Sequence, residues 1–498
     1  MNMTETPLFT AVGKDLPVLP AARIAGRAVR AGVPENRSPI FNASTGETIG
    51  WQESASAAQI DEAVRCASDA FVSWRDSTAG RRGEILRKVA DLVEARRDQL
   101  TVLQMRVSGK PPVEAWTDVS DVVATFTYYA DLCSQGSLFQ VQPVALPVDG
   151  VAAEQFHVPV GVAALIVPWN FPMVTTAWKL APALAAGCTA VLKPSELTSP
   201  VEWALVELLA EAGVPEGVVN VVNGGAEVGA LLTRHPLVDK ISFTGSTAAG
   251  KHVMRAAAED MKRLTLELGG KSALIVREDA DVDLAVSLAV GGAFANAGQM
   301  CSATARILVH DSLYRKFMTA FETAVNALVV APPGTQDVTM GPLISAAQCT
   351  RVRSLVEAGV RAGAQVAFHG QNAKDADGGF FMAPVVIAEP PADNVLWTDE
   401  IFGPVACVKS FRTDDEAIAL ANDTRYGLVA TVVTHNEHMA QHYQRAVRAG
   451  LVWANTPQLI FPHVSWGGFG LSGIGRELGL AGLRSYQELR HTMRNTTA

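Results

Sequence analysis

The sequence predicts an α/β protein with two doubly wound domains, on three observations: short apolar runs alternate with amphipathic stretches, Gly, Pro and Asn punctuate the junctions, and the alternation restarts after Leu268. With 498 residues, two or three domains can each bury a core. In chain order, Val162 to Val167 reads as a buried strand, Thr175 to Ala186 as a helix, Thr189 to Leu192 as a strand and Pro200 to Ala212 as a helix. Val218 to Val222, a helix over Glu227 to Arg234, and Lys240 to Phe243 continue the rhythm. The second series begins with a strand over Ser272 to Val276, a helix over Asp281 to Ala297 and a strand over Ala305 to Val309. Two further segments, Phe139 to Val158 and Arg484 to Met493, look strand-capable, each as a plain hairpin edge or as a subunit contact.

Composition narrows the class. The content is 48% hydrophobic and 18% charged, as in an ordinary folded soluble protein. A net charge of −9 argues against a broad polyanion-binding face, so a small-molecule partner is expected and nucleic acid is not. The longest apolar run, Val158 to Trp169, falls short of the roughly 20 residues a membrane span needs. Six irregularly spaced cysteines, without a CxxC pair, predict neither a disulfide framework nor a metal site, and fit a reducing compartment such as the cytoplasm. Residues 1–30 lack the continuous apolar core of a secretory signal, while Arg23, Arg27 and Arg30 leave a transit peptide as the alternative.

Cys301, inside Gly298-Gln299-Met300-Cys301-Ser302-Ala303, is a candidate nucleophile because small neighbours leave its thiol reachable. A thiol reacts only as thiolate, so a base or a lowered pKa is required, and Glu267 of Glu267-Leu268-Gly269-Gly270-Lys271 is the candidate base. By itself Cys301 also fits a small buried apolar residue. Asn170, in Val167-Pro168-Trp169-Asn170-Phe171-Pro172, can donate to an oxyanion beside the nucleophile's own N–H, typically worth about 3 kcal/mol, or else make a local turn bond. Gly245 and Ser246 follow a strand and open a helix, where backbone amides can face a phosphate, although glycines there often only turn the chain. Leu192-Lys193-Pro194-Ser195-Glu196 ends another strand. A carboxylate at Glu196 can accept both hydroxyls of an adenosine ribose and repel a 2′-phosphate, which favours NAD over NADP; the alternative is a helix-start residue.

Taken together, PWN at 168, KPSE at 193, FTGS at 243, ELGGK at 267, GQMC at 298 and EIFGP at 400 resemble the aldehyde dehydrogenase superfamily, from about residue 35 to about residue 490. The resemblance implies a NAD-binding domain over 1–136 and 160–268, a catalytic domain over 269–480, and a small β oligomerisation extension over 137–159 and 481–498, assembled as homodimers or homotetramers. It implies that Cys301 attacks an aldehyde, that Asn170 and the Cys301 amide hold the oxyanion, that hydride passes to NAD, and that Glu267 activates water to hydrolyse the thioester. Val167, Pro168, Trp169, Lys193, Ser195, Glu196, Gly245 and Ser246 match cofactor positions, Glu400 the residue bonding the nicotinamide ribose, and Phe402 the one beside its ring. Lys179 and Glu477 match a proposed proton relay, with an interior ion pair or a helix-end charge as the alternative.

Cys301-Ser302-Ala303-Thr304, Trp466-Gly467-Gly468 and Gly473 to Gly479 are similar to the betaine aldehyde and ω-aminoaldehyde dehydrogenases. Phe171, Trp178, Phe461 and Trp466 match substrate-facing positions that could surround an ammonium group, and Asp118 and Asp121 match acidic positions at a tunnel mouth. Two departures, Ala295 and the wording of Thr456 to Ser465, allow a wider pocket and a bulkier aromatic or aliphatic aldehyde. No Lys or Arg lies at 171–178, 295–303 or 456–466 to pair a distal carboxylate, which disfavours an acid semialdehyde. Retention of Glu267 disfavours transfer to CoA, and retention of Cys301, Glu267 and Asn170 disfavours a non-catalytic NAD-binding or structural protein.

Overall fold

A computed structural model describes residues 15–32, 36–374 and 378–496. Residues 1–14 of the stretch considered as a transit peptide, and the last two positions of the extension, lie outside the described residues. Two large sheets dominate. In the first, Arg263–Glu267, Lys240–Thr244, Val162–Ile166, Thr189–Lys193 and Val219–Val222 run parallel in that spatial order. Numbered by sequence this order is 5-4-1-2-3, so the winding reverses between Val162–Ile166 and Lys240–Thr244. Ligands of open α/β sheets sit at such a reversal, outside the carboxyl ends of the strands. Antiparallel strands Ala22–Ile24 and Arg27–Val29 close one edge, and Gly473–Ile474 the other.

Continuous burial explains why the central strands read as unbroken apolar runs: every residue of Val162–Ile166 and of Thr189–Lys193 is buried, with helices on both faces. Helix Pro172–Ala186 is buried throughout, which forces its one cation, Lys179, to find an internal partner. In the second sheet, Val385–Ala388, Val405–Phe411, Arg306–His310, Ala273–Val276, Val429–Val433 and Leu451–Ala454 are parallel, with Gln365–His369 antiparallel at the edge. The predicted edge segments pair with one another: Gln487–Asn495 lies antiparallel along all of Val151–Pro159, whose other side takes Gln142–Val144. The expected architecture of two doubly wound sheets and a small separate β sheet is therefore the observed one.

One element differs. The helix expected over Asp281 to Ala297 stops at Phe294, because Asn296 and Ala297 turn left-handed, with φ of 49° and 53°, ahead of Gly298 at 71°. Apolar periodicity carries through Ala297, but the contacts that reverse the chain come from distant segments. Among the described residues no helix is long and apolar enough to cross a membrane.

Candidate active site

The segment joining the two sheets builds the site. Strand Arg263–Glu267 ends the parallel core of the first sheet and Ala273–Val276 begins the second, so Glu267 to Ser272 crosses where carboxyl ends of one sheet face amino ends of the other. Close approach explains its two glycines. A Cβ on Gly269 would lie 2.3 Å from Glu400 Oε2, and one on Gly270 would lie 2.2 Å from the Cys301 carbonyl oxygen. Sequence reading singled out the motif but not this cause.

A cavity of about 880 Å³ opens there, with Cys301, Glu267, Asn170, Glu400 and Glu477 in its wall. Pro168, Trp169, Gly245 and Ser246 line it toward the first sheet, and Phe402, from the loop before Val405–Phe411, lines it beside Trp169. Phe171, Trp178, Trp466, Asp118 and Asp121 line it toward helix Pro112–Ser134. Val167, Lys179, Lys193, Ser195, Glu196 and Phe461 are not wall residues. Val167 is core and donates its N–H to the Lys193 carbonyl at 3.2 Å. Phe461 is exposed, so the expected aromatic set closes without it.

Cys301 is half-buried, and burial pushes its thiol pKa well up; the carboxylates of Glu400 and Glu267 add to the rise, while the N–H groups of Ser302 and Cys301 oppose it. Glu267 is buried, and neither carboxylate oxygen has a hydrogen-bond partner among the described residues. Burial therefore holds its carboxyl well above the usual range, reinforced by Glu477 and opposed by Lys179 and Arg476. Glu400 accepts the Gly270 N–H at 3.0 Å and is pushed up to about 7, again chiefly by burial.

Asn170 is anchored from two sides. Its Nδ2 donates to the Gln299 carbonyl at 3.0 Å, which uses one of two amide N–H groups, and its own carbonyl accepts Asn296 Nδ2 at 3.0 Å. Lys179 pairs with Glu477 in the interior, and both meet Ser242: Lys179 Nζ donates to Ser242 Oγ at 3.1 Å, and Ser242 Oγ donates to Glu477 Oε1 at 3.0 Å. This is an internal ion pair adjoining the cavity through Glu477 and coupled electrostatically to Glu267.

The cofactor candidates suit a dinucleotide. Ser246 caps helix Thr247–Glu259, its Oγ accepting the Ala249 N–H at 3.2 Å, so the positive helix end faces the cavity. A Cβ on Gly245 would lie 2.6 Å from the Phe243 ring. The Glu196 side chain is 47% exposed and lies 3.7 Å from Lys193 Nζ, leaving a carboxylate open to ribose hydroxyls. Lys193 is buried and donates to the Pro194 carbonyl at 2.8 Å, and burial lowers its pKa. Ser195 is buried and its Oγ accepts the Leu197 N–H at 3.3 Å. Trp169 meets the Phe402 ring edge-on at 5.3 Å.

At the far end, the Trp178 and Trp466 ring centroids lie 5.6 Å apart, and Trp178 Nε1 donates to Asp121 at 2.7 Å. Asp118, expected as an acidic group at the tunnel mouth, is buried and paired with Lys110 at 2.5 Å. Lys110 Nζ also sits 3.9 Å from the Phe171 ring centroid and occupies one of its faces. Nothing in the local sequence marks Lys110, which lies in the loop before helix Pro112–Ser134.

Comparison with known proteins agrees with this geometry. The model of the aldehyde dehydrogenase family matches residues 31–492. The chain is 40% identical to betaine aldehyde dehydrogenase 1 of Oryza sativa subsp. japonica over 460 residues, 91% of each chain. It is 40% identical to the peroxisomal aminoaldehyde dehydrogenase 2 of Pisum sativum, covering 93% of each. A crystal structure of betaine aldehyde dehydrogenase from Staphylococcus aureus in complex with NAD+ superposes with a TM-score of 0.94 at 34% identity, covering 99% of this chain and 97% of that one. The motif order, the doubly wound sheets and the Cys301–Glu267–Asn170 cavity thus have one common explanation: the chain belongs to the aldehyde dehydrogenase family.

Proposed function

We propose that this NAD-dependent aldehyde dehydrogenase oxidises an aldehyde bearing an amino or quaternary ammonium group, with Cys301 as nucleophile and Glu267 as the base that hydrolyses the thioester. The observation that carries the chemistry is the shared cavity, where a reachable thiol, a buried carboxylate without a hydrogen-bond partner among the described residues and an anchored amide meet. Cys301 loses its proton to water in the cavity, and the thiolate sulfur bonds to the aldehyde carbon, moving the carbonyl electron pair onto oxygen. The remaining Asn170 N–H and the Cys301 N–H stabilise that oxyanion. When NAD is bound it would supply the hydride acceptor: the Ser246 helix end and Glu400 would hold it in the cavity and Glu196 and Lys193 beyond the cavity wall, with Pro168, Trp169, Gly245 and Phe402 lining its pocket and Val167 and Ser195 backing them from the core. A thioester remains on Cys301. Glu267 removes a proton from water, the hydroxyl adds to the thioester carbon, and the sulfur leaves as thiolate. A carboxylate with a raised pKa and no competing hydrogen bond among the described residues is suited to that proton. Glu477 and Lys179 then pass the proton away from Glu267.

The ammonium end is supported by Trp178, Trp466 and the open face of Phe171, with Asp121 behind Trp178. Because Lys110 neutralises Asp118, Asp121 is the carboxylate that carries the attraction. The relatives named for betaine aldehyde and aminoaldehydes point the same way. A second reading, a bulkier aromatic or aliphatic aldehyde, is favoured by the small wall residues Ala295, Gly291 and Gly292. Turnover of betaine aldehyde, 3-aminopropanal, 4-aminobutanal, benzaldehyde and hexanal, followed as NADH, decides. Preference for the cationic aldehydes supports the first reading, and best activity with benzaldehyde supports the second. Replacing Cys301 by Ala should abolish NADH formation while leaving NAD bound.

The domain ranges given above, a cytoplasmic location and a homodimer or homotetramer complete the proposal. The edge strand Gln487–Asn495, with Leu489 and Met493 exposed, supports an assembly surface. Light scattering of the purified chain tests assembly, and cell fractionation tests location.

A further inference from the structure

Three consecutive left-handed residues stand just before the nucleophile: Asn296, Ala297 and Gly298, at φ of 49°, 53° and 71°. Such a conformation costs a non-glycine residue about 1–3 kcal/mol and persists only where surrounding contacts enforce it. At Gly298 no side chain fits, since a Cβ there would lie 2.2 Å from the Gly403 carbonyl oxygen. At Asn296 the backbone N–H donates to Glu114 Oε1 at 2.8 Å. Glu114 comes from the first turn of helix Pro112–Ser134, far away in sequence, and its Oε2 is buried without a hydrogen-bond partner among the described residues. Asn296 passes the constraint on. Its Nδ2 donates to the Asn170 carbonyl at 3.0 Å and to the Gln299 carbonyl at 3.2 Å, and the Gln299 carbonyl also accepts Asn170 Nδ2.

We propose that Glu114 is a positioning residue for the chemistry at Cys301: by fixing Asn296 it sets both the loop that carries the thiol and the Asn170 amide. The inference rests on the reading of Cys301 as nucleophile and Asn170 as oxyanion donor. It assigns Glu114 a task different from attracting a cation. What matters is the reach of a carbonyl-type oxygen to the Asn296 N–H, not the negative charge.

Two conservative variants separate these tasks. Glu114→Gln keeps an acceptor oxygen at the same reach and removes the charge. Glu114→Asp keeps the charge and withdraws the oxygen by one methylene. Both should be assayed with 3-aminopropanal and with neutral hexanal, alongside the rate of Cys301 alkylation by iodoacetamide and NADH binding by fluorescence. Glu114→Asp should lose about 10- to 100-fold in kcat with either aldehyde, the cost of a misplaced reacting group, with altered alkylation and unchanged NADH affinity. Glu114→Gln should retain parental kcat with hexanal. A parental kcat in Glu114→Asp, or an equal loss in Glu114→Gln, overturns the inference, as does an effect confined to KM for the cationic aldehyde. Turnover by Cys301→Ala, measured in parallel, would instead overturn the reading on which the inference rests.

Discussion

Burial governs the reactive residues. Burial and neighbouring carboxylates, Glu400 first among them, push the Cys301 thiol pKa up. Removing that charge should lower the thiol pKa. At about pH 8.5, above the Glu400 value, Glu400→Gln should accelerate alkylation of Cys301 in the cofactor-free enzyme several-fold, to about tenfold per pKa unit gained. An unchanged or slower rate would show that Glu400 does not act on the thiol. Asp121 tests the far end of the substrate. Burial raises its carboxyl to about 7, opposed by the Trp178 indole N–H. With the aminated substrate 3-aminopropanal, Asp121→Asn should raise KM about 10- to 100-fold, the usual worth of a buried charge-assisted bond, whereas KM for hexanal should stay unchanged. In the parent, KM for the aminated substrate should fall as pH rises through that value, because Asp121 then ionises.

At the scale of elements, helix Pro172–Ala186 illustrates what was readable in the sequence and what was not. Its position after Val162–Ile166 followed from apolar pattern and prolines, and Asn170, Trp178 and Lys179 were identified from motif wording. Lys179 and Glu477 stood together as a relay or an interior ion pair, but Ser242, which both of them meet, was not singled out, because it arrives from another segment. Breaking such a buried pair leaves an uncompensated charge and costs about 3–5 kcal/mol. Lys179→Met should therefore destabilise the protein by about that amount in urea unfolding, and adding Glu477→Leu should recover most of it. If the double variant is no more stable than the single one, the two residues do not act as a pair. The left-handed turn at 296–298, the glycine contacts of Gly269 and Gly270, and Lys110 against Phe171 escaped sequence reading for the same reason. Each is dictated by atoms from another segment, and neither periodicity nor local propensity encodes them.

Over the whole molecule, the buried carboxyls set a pH dependence of stability. Burial raises Glu114, Asp121, Glu207 and Glu400 to about 7 and Glu202 to about 8. Between the unfolded carboxyl values, about 4, and these folded values, the folded chain holds protons that the unfolded chain has lost. Folding is then favoured by acid, and the contribution of these groups is lost as pH rises through 7 to 8. The Tm of the cofactor-free protein should fall from about pH 5.5 to about pH 8 in scanning calorimetry, and a steady rise across that window would contradict it. The two sheets meet at the same centre. Their facing strand ends place the base, the nucleophile and the cofactor residues in one cavity, so the fold and the reaction share one geometric cause.

The proposed reaction turns on a covalent acyl group on Cys301 that Glu267 releases. Glu267→Gln, mixed with an accepted aldehyde and NAD and analysed by intact-protein and peptide mass spectrometry, tests it most directly. One burst of NADH per active site is expected, with the added mass of the acyl group on the peptide carrying Cys301. Undiminished steady turnover, or an acyl group on any other residue, would contradict it.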